Sequence, residues 1–274
     1  MTKTKIEWAD KVWNPVTGCS KVSEGCKNCY AERHAKRFWG DRKFSDVQCH
    51  EDRLKQPFNW RKPSRVFVNS MSDLFHKDVP LPFIADVFHY IEKANDHTFV
   101  VLTKRPERML ELMSTSVENG YPPPENIWLG VSVENQETAD ERIPLLLKTP
   151  AAKRIISFEP ALGPIDFKKW IWHPDWNSAD NPDLIDWVIM GGESGPKARP
   201  MHPDWARSVR DQCQDAEVPF FFKQWGEWYP DNKRIFEARS MIFGDTSIYK
   251  LGKKKSGRLL DDRVWEEVPE ICSL

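Results

Sequence analysis

Three of the six cysteines, Cys19, Cys26 and Cys29, lie in the run GCSKVSEGCKNCYAE (residues 18–32) with the spacing C-x6-C-x2-C. Clustered thiolates ligate zinc or iron–sulfur clusters. A structural zinc site needs a fourth donor, and His34, Cys49 and His50 are candidates by position. Such sites usually come as paired C-x2-C knuckles, for which the first gap here is long. A cluster held by three cysteines leaves one iron open to a cofactor or substrate, which suits a triplet without a fourth partner. Gly18 and Gly25 let the backbone wrap closely around such a centre. Cys213 and Cys272 read as packing residues, while Cys49 is left between a ligand, a redox and a packing role.

A second set of polar residues recurs at the ends of short apolar runs. These are Asn69 to Asp73, Thr103-Lys104-Arg105, Ser132 to Asn135, Ser157 to Glu159, Gly191 to Ser194, and Lys223-Gln224. Each could be ordinary capping or turn chemistry. Their repetition at one position after every run instead suggests a shared edge, where parallel α/β proteins bind ligands. A carboxylate at such an edge is costly without a partner, so Glu134, Glu159 and Glu193 are each expected to have one.

The elements that must position these residues are legible. SRVFVNSMSD (64–73), HTFVVLTKRP (97–106), NIWLGVSVEN (126–135), AKRIISFEPALGP (152–164), IDWVIMGGESGP (185–196) and VPFFFKQWGEW (218–228) read as strands buried on both faces, with an earlier one near residues 11–17. LPFIADVFHYIEKAND (81–96), PERMLELMSTSV (106–117), ETADERIPLLLKT (137–149) and HPDWARSVRDQCQDA (202–216) read as helices between them. The alternation predicts right-handed βαβ units. The expected fold class is α/β: a full or partial (β/α) barrel over residues 1–228, with the cysteine loop after the first strand, and a C-terminal appendage over residues 229–274 packed on the barrel. A doubly wound open sheet is the alternative.

The 274 residues are 40% hydrophobic and 30% charged, a globular composition. No run reaches the roughly 18 apolar residues of a membrane span, and the N-terminus lacks a secretory signal. A reducing cytoplasm is expected, where clustered cysteines bind metal or react rather than form disulfides. The net charge of −1 demands no nucleic-acid partner. The basic run KLGKKKSGR (250–258) reads as a solvated turn, with a phosphate contact as the alternative. Among the 13 tryptophans, Trp8, Trp13, Trp39, Trp60, Trp128, Trp187, Trp225 and Trp228 stand beside polar or turn residues, where rings serve packing or base stacking.

With these residues in view, the chain resembles the radical S-adenosylmethionine superfamily, and more closely the phage-associated three-cysteine-motif family. The carrying segments are IEWADKVWNPVTGCSKVSEGCKNCYAE, FVNSMSDLF, LTKRPERM, GVSVEN, SFEPALGPID, GGESGPKARPM and FFKQWGEW, with GKKKSGRLLDDRVW toward the C-terminus. The resemblance implies a radical SAM barrel whose [4Fe–4S] cluster is held by Cys19, Cys26 and Cys29. S-adenosylmethionine would chelate the open iron and be cleaved to a 5′-deoxyadenosyl radical. The superfamily's commonest spacing is C-x3-C-x2-C, from which the longer gap here departs. Asn28 stands where an adenine-packing apolar residue is usual, with Tyr30 on the other side of Cys29. Ser70, Asp73, Lys104, Ser132 and Glu134 are implied as cofactor-binding residues, and the S-x-x-D pattern and LTKRP are similar to spore photoproduct lyase. Glu159, Glu193 and Lys223 are the candidates for proton exchange with substrate. Nucleic acid is the expected substrate class, and a flavodoxin or ferredoxin the expected electron donor. The competing readings are a zinc or structural-cluster binding module and a catalytically inactive relative.

Overall fold

The computed structural model describes residues 4, 6–171, 184–230 and 239–270. Cys272 lies outside them. Seven strands form one sheet in strictly sequential order. They are β1 (Lys11–Trp13), β2 (Arg65–Val68), β3 (Thr98–Thr103), β4 (Ile127–Val133), β5 (Lys153–Phe158), β6 (Trp187–Gly191) and β7 (Phe220–Gln224). The register is parallel, with Lys11 opposite Val66, Arg65 opposite Thr98, Phe99 opposite Ile127 and Val188 opposite Phe220. A doubly wound sheet reverses its strand order partway; this one never does, and β1 and β7 end the order. The fold is therefore a partial (β/α) barrel sheet, as the alternation of runs predicts.

Burial explains the strands. Val66 and Val68, Phe99 to Val101, Ile127 to Leu129, Ile155 and Ile156, Trp187 to Met190 and Phe220 to Phe222 are all buried, as continuous β-branched and aromatic runs require in a sheet covered on both faces. The covering helices are α1 (Tyr30–Phe38), α2 (Leu81–Lys93), α3 (Pro106–Glu118), α4 (Gln136–Lys148) and α5 (Pro203–Asp215). A proline stands in the first turn of α2, α3 and α5, where its missing N–H has no intrahelical acceptor to lose. No helix among the described residues is long and apolar enough to cross a membrane.

The C-terminal residues add two small ladders. β8 (Trp228–Pro230), β9 (Ser240–Phe243) and β10 (Thr246–Lys250) form an antiparallel sheet, and β11 (Leu259–Leu260) pairs with β12 (Arg263–Val264). Phe222 N donates to Trp265 O (3.0 Å) and Glu267 N to Phe220 O (3.2 Å), so residues 265–267 cover the outer edge of β7. The middle of the basic run folds into a short helix, Lys253–Ser256. Of the tryptophans singled out above, all but Trp39 are buried, which assigns them to packing rather than to base stacking.

The chain divides into two compact units. One comprises residues 1–132 with 142–155, the other residues 133–141 with 156–274. The cysteine loop belongs to the first, and Glu159, Glu193 and Lys223 to the second.

Candidate metal centre and a neighbouring carboxylate system

The cysteine loop leaves the sheet at the end of β1 and is stitched to the turn after β2. Asn14 Oδ1 accepts from Ser70 Oγ (3.2 Å) and Met71 N (3.1 Å), and Asn69 Oδ1 accepts from Val16 N (3.1 Å). Ser72 Oγ donates to Val16 O (2.8 Å), and Gly18 pairs with Ser72 in a parallel bridge. Gly18 has φ +96°, and a side chain there would press into the carbonyls of Phe44 and Asp46. This is a position that glycine alone fills without strain. Beyond it, Cys19 N donates to Phe44 O (2.8 Å).

Cys26 ends a 3-10 turn, Glu24–Cys26, and Cys29 is the N-cap of α1. Tyr30 Oη, at the start of that helix, donates to Ser70 O (2.6 Å). Lys21 pairs with Glu32 of α1 at 3.2 Å, which ties the loop to the helix it precedes. All three thiols are free and half-buried. Burial, then the charge of Asp73, pushes Cys19 up to about 11, against the opposing pull of Arg105. Burial likewise raises Cys29, although the amides of Glu32 and Ala31 at the helix start favour its thiolate. Cys26 lies near enough to both to raise each further. Cys19 and Cys29 thus ionise less readily than free thiols, and a cation beside them favours their thiolates.

One cation is already in place. Arg105 Nη1 donates to Asp73 Oδ2 (2.8 Å) and lies 3.6 Å from Cys19 Sγ, while Nη2 donates to Ser20 O (2.9 Å) and Ser20 Oγ (3.1 Å). Asp73 is 5% exposed. Its carboxylate also accepts from Thr103 Oγ1 (2.8 Å), Phe75 N (3.0 Å) and Lys104 N (3.1 Å). Ser20 Oγ lies 2.7 Å from His76 Nε2. His76 Nδ1 accepts from Asp78 N (3.2 Å), which assigns the proton to Nε2. Burial, followed by the charge of Arg105, lowers the His76 pKa and keeps the ring neutral.

Ser70 and Asp73, read from sequence as cofactor-binding residues, lie in the turn that is stitched to the cysteine loop, and the Arg105 side chain, which sequence reasoning did not single out, joins Asp73 to Ser20. Arg105 stands one residue beyond Lys104, in the same LTKRP run. Of the proposed fourth zinc donors, His50 alone makes a side-chain hydrogen bond among the described residues. His34 packs on Phe38 with ring centroids 4.5 Å apart, His50 Nε2 lies 2.7 Å from Thr17 Oγ1, and Cys49 sits opposite Val16 in a two-residue ladder. Among the described residues, the His/Cys/Asp/Glu trio whose ligand atoms all fall within 4.8 Å is His202, Asp204 and Asp245, and the cysteines are not gathered so tightly. Cys213 is fully buried in α5, a packing role.

In the second unit, Glu159 and Lys223 form an ion pair at 3.0 Å, with both side chains mostly buried. The carboxylate lies where a side chain on Gly191 would collide with it. Glu193, 6% exposed, takes a fork from Arg199, with Nη2 to Oε1 at 2.6 Å and Nε to Oε2 at 3.0 Å, and Arg199 N also donates to Oε2 at 2.8 Å. The backbone amides of GGESG serve the chain's own acceptors: Gly195 N binds Glu227 Oε1 (2.8 Å) and Gly192 N binds Gln224 O (2.9 Å). Of the cofactor-binding candidates at the end of β4, Ser132 O accepts from Arg142 Nη1 (2.6 Å). Glu134 is buried at 1% exposure, with its amide on Thr138 Oγ1 (2.9 Å). Arg199, missed from sequence, sits six residues from its carboxylate across a turn with no periodic signal.

Fold and site together describe an α/β protein of consecutive βα units with a three-cysteine centre after the first strand. Its family is shown directly: residues 3–269 match the model described as "Protein of unknown function (DUF5131)", and the chain belongs to that family. No curated protein matches the chain. Among solved structures it is similar to a cysteine-to-serine variant of spore photoproduct lyase, at 11% identity and TM-score 0.49, over 93% of this chain and 72% of that one. It is also similar to a double variant of that lyase with bound AdoMet and dinucleoside spore photoproduct, at 11% identity and TM-score 0.47, over 91% of this chain and 70% of that one.

Proposed function

We propose that the protein is a radical S-adenosylmethionine enzyme in which Cys19, Cys26 and Cys29 hold a [4Fe–4S] cluster. The observation that carries this reading is the donor set: three free, half-buried thiols on one loop after the first strand of a partial (β/α) barrel sheet. Soft thiolates suit iron and sulfide, and three of them suit a cluster that keeps one open iron. When bound, the cluster would supply the electron that cleaves S-adenosylmethionine reductively.

The chain's own residues do the rest. Arg105 offsets thiolate charge beside Cys19 and, by gripping Ser20 and Asp73 together, fixes the loop to the ends of β2 and β3. A hydrogen bond to a ligating sulfur is one of the protein's means of setting cluster potential. Ser70 and Lys104 stand on the same strand ends as polar groups for the cofactor's amino acid moiety. In the second unit, Glu159 and Lys223 form the pair between which a proton can pass to or from substrate.

The reading is tested by purifying the chain without oxygen, supplying iron and sulfide, and counting metals. About four irons per chain with broad visible absorption, lost on Cys19→Ala, Cys26→Ala and Cys29→Ala alike, is expected. One tightly held zinc and no iron would leave a binding module instead.

A further inference from the structure

The first unit contains two adjoining cavities that the cysteine centre does not use. One, of about 430 Å3, is bordered by His34, Trp39, Arg42, Gln48, His50 and Arg53 among others. The other, of about 490 Å3, is bordered by Arg53, Lys55, Gln56 and Asn59, with Asp52 its one carboxylate. Asn14 and Arg53 belong to both. Arg42, Arg53 and Lys55 thus face a space whose walls contain a single acid.

These guanidinium groups are fixed without being neutralised. Arg42 Nη2 donates to Thr17 O (2.9 Å) and Asp46 O (2.6 Å), and Arg53 Nη1 donates to Asn14 O (3.2 Å). All three acceptors are backbone carbonyls. Arg42 Nε is buried and without a hydrogen-bond partner. Among the described residues neither arginine has a carboxylate within ion-pair distance. Burial lowers the Arg42 pKa, with Asp46 opposing and Arg53 adding to the fall. His50, in the same lining, is lowered by burial and then by Arg53, with Asp52 opposing and Arg42 adding to the fall. Arg42 also stacks on the Trp39 ring at 4.2 Å. An anion set between the two arginines offsets their like charge, and the planar fork of arginine matches phosphate oxygens.

We propose that the adjoining cavities bind a phosphate-bearing ligand, a nucleoside phosphate either free or within a strand, with a phosphate taken between Arg42 and Arg53. Lys55 in the second cavity is placed for a further phosphate. The amides of Gln48, Gln56 and Asn59 offer donors and acceptors to the polar edges of the organic part. S-adenosylmethionine has no phosphate, so this ligand differs from the cofactor assigned above, and the inference stands whether or not the cysteines hold iron.

Fluorescence anisotropy of the full chain with labelled adenosine monophosphate and with a labelled short oligodeoxythymidylate tests it. At least one probe is expected to bind: the mononucleotide alone identifies a free nucleotide as the source, the strand a nucleic acid. Arg42→Gln or Arg53→Gln is expected to weaken binding about tenfold or more. Lys55→Glu, at an exposed position, is expected to weaken it with the melting temperature unchanged. For the strand, log K should fall against log salt with a slope of about −1.4, as for two phosphates neutralised on a single strand. The proposal is overturned if neither probe binds, if all three variants bind as the parent does, or if unlabelled S-adenosylmethionine displaces the probe.

Discussion

Arg105 joins Asp73, Ser20 and the Cys19 sulfur through one side chain that is 14% exposed. Removing it leaves the Asp73 carboxylate buried with neutral donors only, and frees the cysteine loop from the end of β3. Arg105→Gln is therefore expected to cost on the order of 2 kcal/mol in chemical denaturation, as for loss of one partner of a largely buried pair. Arg105→Lys should recover only part of this, because an ammonium cannot span three acceptors in a fork. Equal stability of all three proteins would refute the role. The sequence made this polar strand end visible and the reading named Lys104 from it, not Arg105. Arg105 is the N-cap of α3, beyond the last residue of β3, and no periodic signal tells which way a side chain turns at such a junction.

Between elements, the loop after β6 and the turn after β7 interlock by close backbone approach, with the Glu227 and Gln224 side chains bonding across it. A side chain at Gly192 would collide with the Trp225 carbonyl, and one at Gly226, where φ is +86°, with the Glu193 carbonyl. Gly226→Ala is expected to destabilise the fold by about 3 kcal/mol or more, combining left-handed strain with a backbone clash. Gly120→Ala, where φ is +84° in open space, should cost only about 1–2 kcal/mol. Thermal unfolding of the two variants side by side distinguishes packing from strain, and similar losses would contradict the interlock. Elements of this kind were unevenly readable. The seven sheet strands and α2 to α5 follow from apolar runs and opening prolines. The β8–β10 sheet does not, because Met241 and Ile242 on β9 are exposed and leave no buried face to set a period. The two-residue ladder of Val16 and Thr17 with Gln48 and Cys49 is too short for any periodic signal.

For the whole molecule, acid stability has an identifiable contributor. Asp261, between β11 and β12, accepts from Arg207 Nε (3.0 Å) and Arg210 Nη1 (2.5 Å) of α5, and these bonds hold its carboxyl below the usual aspartate value. A depressed folded pKa gives stability that is present above the unfolded value and lost as pH falls through the folded one. The groups are partly exposed, so the contribution is at most about 1 kcal/mol. Asp261→Asn should lower the melting temperature near about pH 7, and this deficit should shrink progressively as pH falls below the ordinary aspartate value of about 4; a deficit constant over that range would contradict the assignment. The sequential order of the sheet was legible at this scale, because alternating runs and right-handed crossovers leave few topologies. The division of polar groups between two compact units was not, because both units draw on the same sheet. The central claim, that three cysteines on the first loop support radical chemistry, is tested most directly by one measurement. The reconstituted chain is reduced with S-adenosylmethionine present, and 5′-deoxyadenosine is quantified by mass spectrometry for the parent and for Cys26→Ala. The account predicts 5′-deoxyadenosine from the parent and none from the variant. A parent that holds its iron yet yields no 5′-deoxyadenosine, or a variant that yields as much, would contradict it.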